Sequence, residues 1–140
     1  EKFIRELGTG SEGLLGMCAW APGITYPGTE AASQVFVQAF QAKFGQAPNS
    51  TTMHGYTAAR AMLAAVEQVL QKGEPLSGEA ISRELRQLDL ALPMGRLRFT
   101  ETGDPQDYEQ VIVQIQAGSL KVVSPANRST GGLIQPLPAP

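Results

Sequence analysis

At 140 residues the chain has the length of one ordinary domain, and 42% hydrophobic against 17% charged residues excludes wholesale disorder. A net charge of −2 gives no electrostatic reason to expect a nucleic-acid partner. The single cysteine cannot make an internal disulfide, and no apolar run approaches the roughly twenty residues of a bilayer span.

The chain opens Glu-Lys-Phe, without an initiator Met or a secretory signal, and is expected to be a fragment of a longer protein. Glu1–Leu7 places Phe3, Ile4 and Leu7 on one helical face, which predicts the frayed end of a helix. Gly8, Gly10 and Gly13 then satisfy G-x-G-x-x-G, but a phosphate-binding fingerprint needs a strand before it and a helix after it. Here the order is reversed, so these glycines read as a loop. Leu14–Trp20 has the length of a buried strand, with Cys18 as a small buried hydrophobe. Ala21–Gly28 is a loop, its two prolines blocking ladder donors.

Three helices follow. Thr29–Phe44 sets Ala32, Phe36, Phe40 and Phe44 four residues apart in one apolar stripe, with Gly45 as the stop. Its other face, with Gln34, Gln38, Gln41 and Lys43, is expected to be wet. Thr51–Lys72 holds Met53, Tyr56, Ala59, Met62, Leu63, Val66, Val69 and Leu70, and Ala61, Ala64 and Ala65 widen the apolar surface. That breadth predicts burial on more than one side. The third helix starts with Ser77 as N-cap and Glu79 in its first turn, and Ile81, Leu85 and Leu88 form its inward stripe.

At Pro93–Asp104 the character changes. Leu97 and Phe99 alternate with Arg96 and Arg98, the period of a half-buried strand, and Thr102-Gly103-Asp104 supplies a turn. Tyr108–Gln116, Ala117-Gly118 and Leu120–Val123 then read as a hairpin. Ser124–Pro140 is loop-like, with a short strand expected at Leu133–Gln135. Glu101, Asp104, Asp107 and Glu109 surround a turn without the density of a calcium loop, and read as solvated. Asn49-Ser50-Thr51 and Asn127-Arg128-Ser129 match the glycosylation sequon, although a cap of the long helix explains Asn49 or Ser50 more simply.

In this order the elements resemble the last third of type I periplasmic solute-binding proteins, the branched-chain amino acid subgroup of ABC importers. The residues that carry the resemblance are Ser11-Glu12-Gly13-Leu14-Leu15-Gly16, Trp20-Ala21-Pro22, Tyr26-Pro27-Gly28, His54-Gly55-Tyr56-Thr57-Ala58-Ala59, Met94–Phe99 with Gly103-Asp104, and Thr130–Ile134. The resemblance implies an α/β fold of two Rossmann-like lobes, of which this chain completes both. Residues 1–28 would be a strand and hinge-crossing loop, and 29–92 three helices of the N-terminal lobe. Residues 93–104 would be a strand and turn at the last crossing, and 105–140 the hairpin and tail of the C-terminal lobe.

The resemblance also makes Tyr56 the first candidate ligand contact, since the tyrosine of this Gly-Tyr-x-Ala pattern can line the cleft. A core tyrosine of the helix stripe is the competing reading. His54 lies about 200° around the helix from Tyr56 and is read as facing the cleft or as a solvated or capping side chain. No ligating side chain stands three or four residues after it, so no metal is expected. Trp20 and Tyr26 frame the cleft or cover a core. Arg96 and Arg98 grip a carboxylate or line a wet strand face.

No nucleophile–base pair emerges, so neither an enzyme nor a cofactor is expected. The implied function is extracytoplasmic: binding of an amino acid, amide or aromatic acid by hinge closure, with the upstream part of the same protein and a membrane permease as partners. A ligand-sensing regulatory domain of the same fold is the alternative.

Overall fold

The computed structural model describes residues 2–106 and 109–135. They fall into two compact units: residues 2–19 with 109–135, and residues 20–106.

The first unit contains helix α1 (Lys2–Leu7), a single 3-10 turn (Gly8–Ser11) and strands β1 (Leu15–Cys18), β5 (Val111–Gln116) and β6 (Ser119–Ser124). The three strands make an antiparallel sheet in the order β1-β5-β6. Val111, Val113, Ile115 and Val122 are its buried apolar positions. The hairpin falls where alternation predicts it and turns through Ala117 (φ 49°) and Gly118 (φ 69°), the left-handed pair of a type I′ turn.

Two expectations for this unit are corrected. The run at 14–20 does form a strand, but a shorter and exposed one: Leu15 is 55% and Met17 76% exposed, and Cys18 is half-buried. Opposite them in register stand Gln114 and Ile112; on this sheet face Leu15, Met17 and the 42%-exposed Ile112 are open, while Gln114 is fully buried. Length and hydrophobicity marked a strand; they could not mark what lies on it. Leu133–Gln135 makes no strand ladder. It is tied instead to the fully buried side chain of Gln114, whose Nε2 donates to the Ile134 carbonyl (3.2 Å) and whose Oε1 accepts the Ile134 N–H (2.9 Å). The start expected at Tyr108, and Asp107 of the acidic turn, lie outside the described residues.

The second unit holds α2 (Glu30–Phe44), α3 (Ser50–Gln71), α4 (Gly78–Arg86) and a small antiparallel sheet of β2 (Leu90–Leu92), β3 (Gly95–Phe99) and β4 (Pro105–Gln106) in that order. The helix limits follow their signals. Gly45 ends α2 in left-handed conformation (φ 67°), the Asn49 side chain accepts the Thr52 N–H at 2.9 Å, and the Ser77 hydroxyl accepts the Ala80 N–H at 3.1 Å.

On α3, Met53, Ala61, Ala65 and Val69 are buried, while Met62, Leu63 and Leu70 on the other side are 48–57% exposed. Burial on more than one side is therefore not seen: of the expected main stripe only Met53 and Val69 are buried, and Ala61 and Ala65 complete the covered face. On α4 the deepest positions are Ala80 and Glu84, followed by Leu88 beyond its end; Ile81 and Leu85 are half-buried. Leu88 is thus buried as expected, while the two positions before it lie one residue earlier than expected, at Ala80 and Glu84. Glu84 tolerates this place because Lys72 Nζ (2.7 Å) and Arg83 Nε (3.1 Å) both donate to its Oε1. Their hydrogen bonds, Lys72 foremost, hold its carboxyl below the usual range despite burial.

Candidate functional site

Two places in the second unit gather the residues singled out in the sequence. The first is aromatic. Trp20 is fully buried, its indole N–H donates to the Ser33 hydroxyl (3.3 Å), and its ring meets Phe36 edge-on at 5.9 Å. Tyr56, half-buried on α3, lies against the same Phe36 at 4.6 Å. The stripe of α2 continues the cluster through Phe40 (5.9 Å) and Phe44 (4.4 Å from Phe40). Phe36 is thus the residue that joins Trp20 to Tyr56. The sequence displayed it as a stripe position and gave no sign of this joining role.

The second place is a cavity of ≈ 190 Å³ between the first half of α3 and the small sheet. His54, Thr57, Ala58 and Ala61 supply the helix side; Leu92, Leu97 and Phe99 are among the residues of the sheet side. The alternation of β3 explains the latter, since Leu97 and Phe99 point to one face. The exposed His54 ring donates from Nδ1 to the Ser50 carbonyl one turn earlier, at 2.7 Å. Arg96, also at the cavity, is held in a two-pronged ion pair by Asp89. The guanidinium's hydrogen bonds draw the Asp89 carboxyl below its ordinary value. Arg98 is half-buried and is not among the cavity residues.

Tyr26 belongs to neither wall directly. It is 7% exposed and lies behind Gly95, where a Cβ would come within 3.2 Å of its Cδ1. Its backbone carbonyl accepts both the N–H and the hydroxyl of Thr29, which fixes the loop onto the start of α2. The structure therefore brings Trp20 and Tyr56 together through Phe36, sets His54 on the cavity, and places Tyr26 behind it. His54 and Tyr56 occupy different sides of α3, as their spacing requires. Among the described residues no group of three or more His, Cys, Asp or Glu side chains is placed to hold a metal.

A family model described as periplasmic binding protein matches residues 3–119. Among solved structures, a leucine binding protein from Thermotoga maritima is 25% identical with a TM-score of 0.69, over 86% of this chain and 33% of its own. An ABC transporter substrate-binding protein from Desulfitobacterium hafniense, in complex with Leu, is 29% identical with a TM-score of 0.67, over 80% of this chain and 31% of its own. A solute binding protein from R. palustris, in complex with benzoate, shares the fold at 15% identity, with a TM-score of 0.65 over 85% of this chain and 31% of its own. No curated protein gives a significant match. The chain spans about a third of the length of these solved proteins. It belongs to the periplasmic binding protein family and has the type I α/β fold over that third.

Proposed function

We propose that this chain is part of the extracytoplasmic solute-binding component of an ABC importer, which takes an amino acid or a related small polar or aromatic solute by hinge closure of two lobes. The observation that carries the reading is the likeness to leucine-binding proteins at 25% and 29% identity, within a family match covering most of the chain. Residues 29–92 are then the three helices of the N-terminal lobe and 105–140 the hairpin and tail of the C-terminal one. Residues 1–28 and 93–104 would carry crossings between them.

The open apolar surfaces support a partner within the same protein. Leu15, Met17 and Ile112 on the sheet, and Met62, Leu63 and Leu70 on α3, are unburied here, a cost that a further sheet would remove at about 25 cal/mol per Å². Tyr56 and His54 have the accessible surface to meet a ligand, while Trp20 and Tyr26 are buried as supports behind them. Closure is stabilised when a solute touches both lobes at once, and the closed shape is what a permease would recognise. Nothing in this role requires catalysis.

Calorimetry with leucine and with benzoate on the whole gene product tests the reading. Saturable binding of either, weakened roughly tenfold or less by Tyr56→Phe and more by Tyr56→Ala, is the expected result. Absence of binding to any amino acid, amide or aromatic acid would overturn it.

A further inference from the structure

The Tyr56 ring turns about a terminal torsion with a broad energy well, so its own helix does not fix the plane of the phenol. Contact with Phe36 restricts it. The two ring centroids lie 4.6 Å apart with their planes tilted by 46°, and the contact crosses from α2 to α3.

Phe36 is held in turn from other sides. The Trp20 ring meets it at 5.9 Å with the planes 79° apart, and the Phe40 ring also lies at 5.9 Å. Trp20 is itself anchored: it is fully buried, and its indole N–H donates at 3.3 Å to the hydroxyl of Ser33, which is buried too. Ser33 and Phe36 stand three positions apart on α2, so one helix face carries both the anchor of the indole and the ring that the indole packs against. A ring with three aromatic neighbours, one of them anchored, has few orientations left. Burial falls from Trp20 to Phe36 and Tyr56, both half-buried, so the rigid end of the row is inside and Tyr56 keeps open surface.

We propose, on the solute-binding reading in which Tyr56 meets the solute, that Phe36 is a positioning residue. It fixes the plane of the Tyr56 phenol without touching the solute, with Trp20 and Ser33 as its anchor. A contact group held in its bound orientation before the solute arrives loses less freedom on binding, which tightens the complex. At the usual strength of a ring pair, this is worth roughly 2- to 10-fold in affinity.

The whole gene product is compared with Phe36→Leu and Phe36→Met, which remove the ring, and with Phe36→Tyr, which keeps it. Phe44→Leu removes a ring of the same stripe, 4.4 Å from Phe40, and controls for lost aromatic packing. Crystal structures of the unliganded proteins read the Tyr56 ring plane without any solute. The expected result is a plane kept in Phe36→Tyr and Phe44→Leu, and rotated or split into two orientations in the two ringless variants. Calorimetry with leucine and with benzoate should then show the ringless variants binding roughly 2- to 10-fold more weakly, and Phe36→Tyr and Phe44→Leu unchanged. In a double-mutant cycle, Tyr56→Ala should abolish the effect of Phe36→Leu on affinity. A Tyr56 ring unmoved in both ringless variants overturns the proposal, as does an equal loss of affinity from Phe36→Leu with and without the Tyr56 ring. Saturable binding that the ringless variants leave unchanged overturns it too, and leaves the solute-binding reading standing. Failure of the native protein to bind any amino acid, amide or aromatic acid overturns that reading and the positioning role with it.

Discussion

Glu12 and Gly118 stand 106 positions apart, yet the Gly118 backbone N–H donates to the Glu12 carboxylate at 2.6 Å. The other oxygen of the same carboxylate accepts the Ala117 N–H at 2.8 Å. These two amides sit at the centre of the hairpin turn, where no ladder partner exists for them. The segment before β1 is thereby clamped to the tip of β5–β6, beside the Gly13 N–H to Ile115 carbonyl bond at 2.8 Å. Replacing Glu12 with Ala should cost about 1–2 kcal/mol, and Glu12→Gln less, since one amide oxygen still accepts. Denaturant unfolding measures the loss, and faster hydrogen exchange at Ala117 and Gly118 locates it.

Ala117 holds φ at 49°, where a Cβ clashes with the backbone and asparagine or glycine is at home. Ala117→Asn should therefore stabilise the chain by about 1 kcal/mol, seen as a higher denaturant midpoint with unchanged slope. A loss of stability would mean that the turn is not type I′.

Gly95 combines a φ of 108° with the Tyr26 ring 3.2 Å from where its Cβ would be. Gly95→Ala must strain the backbone and displace a buried tyrosine, at roughly 2–4 kcal/mol. Tyr26→Ala in the same background should recover part of that loss in a double-mutant cycle. Strict additivity would show that the two do not touch.

Glu84 ties acid stability to the α3–α4 contact. Its folded-state pKa is lowered, chiefly by the Lys72 hydrogen bond, so its contribution is present above the ordinary value of 4.5 and is lost as pH falls through the folded-state value. Unfolding midpoints taken downward from pH 6 should fall for the native chain and fall less steeply for Glu84→Gln, which starts lower. Parallel curves would place the acid sensitivity elsewhere.

The three long helices were legible because each has its own period and its own cap: Phe36, Phe40 and Phe44 at fourfold spacing, Asn49 and Ser77 at the starts. The hairpin was legible from alternation and Ala117-Gly118. β2 and β4, three and two residues long, carry no period and exist through pairing with β3. Burial of Glu84 and Gln114 was not legible, since each depends on partners distant in sequence: Lys72 for one, Gly13 and Ile134 for the other. The cavity likewise joins α3 to strands more than thirty residues later, a juxtaposition no local pattern encodes. Tyr56 was singled out by its motif, and the structure sets it against Phe36, which was visible only as part of a stripe.

The most direct test of the central claim is a thermal-shift measurement with leucine and with benzoate, on the 140-residue chain and on the whole gene product side by side. A ligand that binds the folded state at a hundred times its Kd adds about 2.7 kcal/mol and raises the melting temperature by several degrees. The account predicts that rise in the whole protein and none in the 140-residue chain. A cooperative melt of the short chain, shifted by leucine or benzoate to the same extent, would contradict it: the binding site would then be complete within these residues, and no second set of contacts from the rest of two closing lobes would be needed.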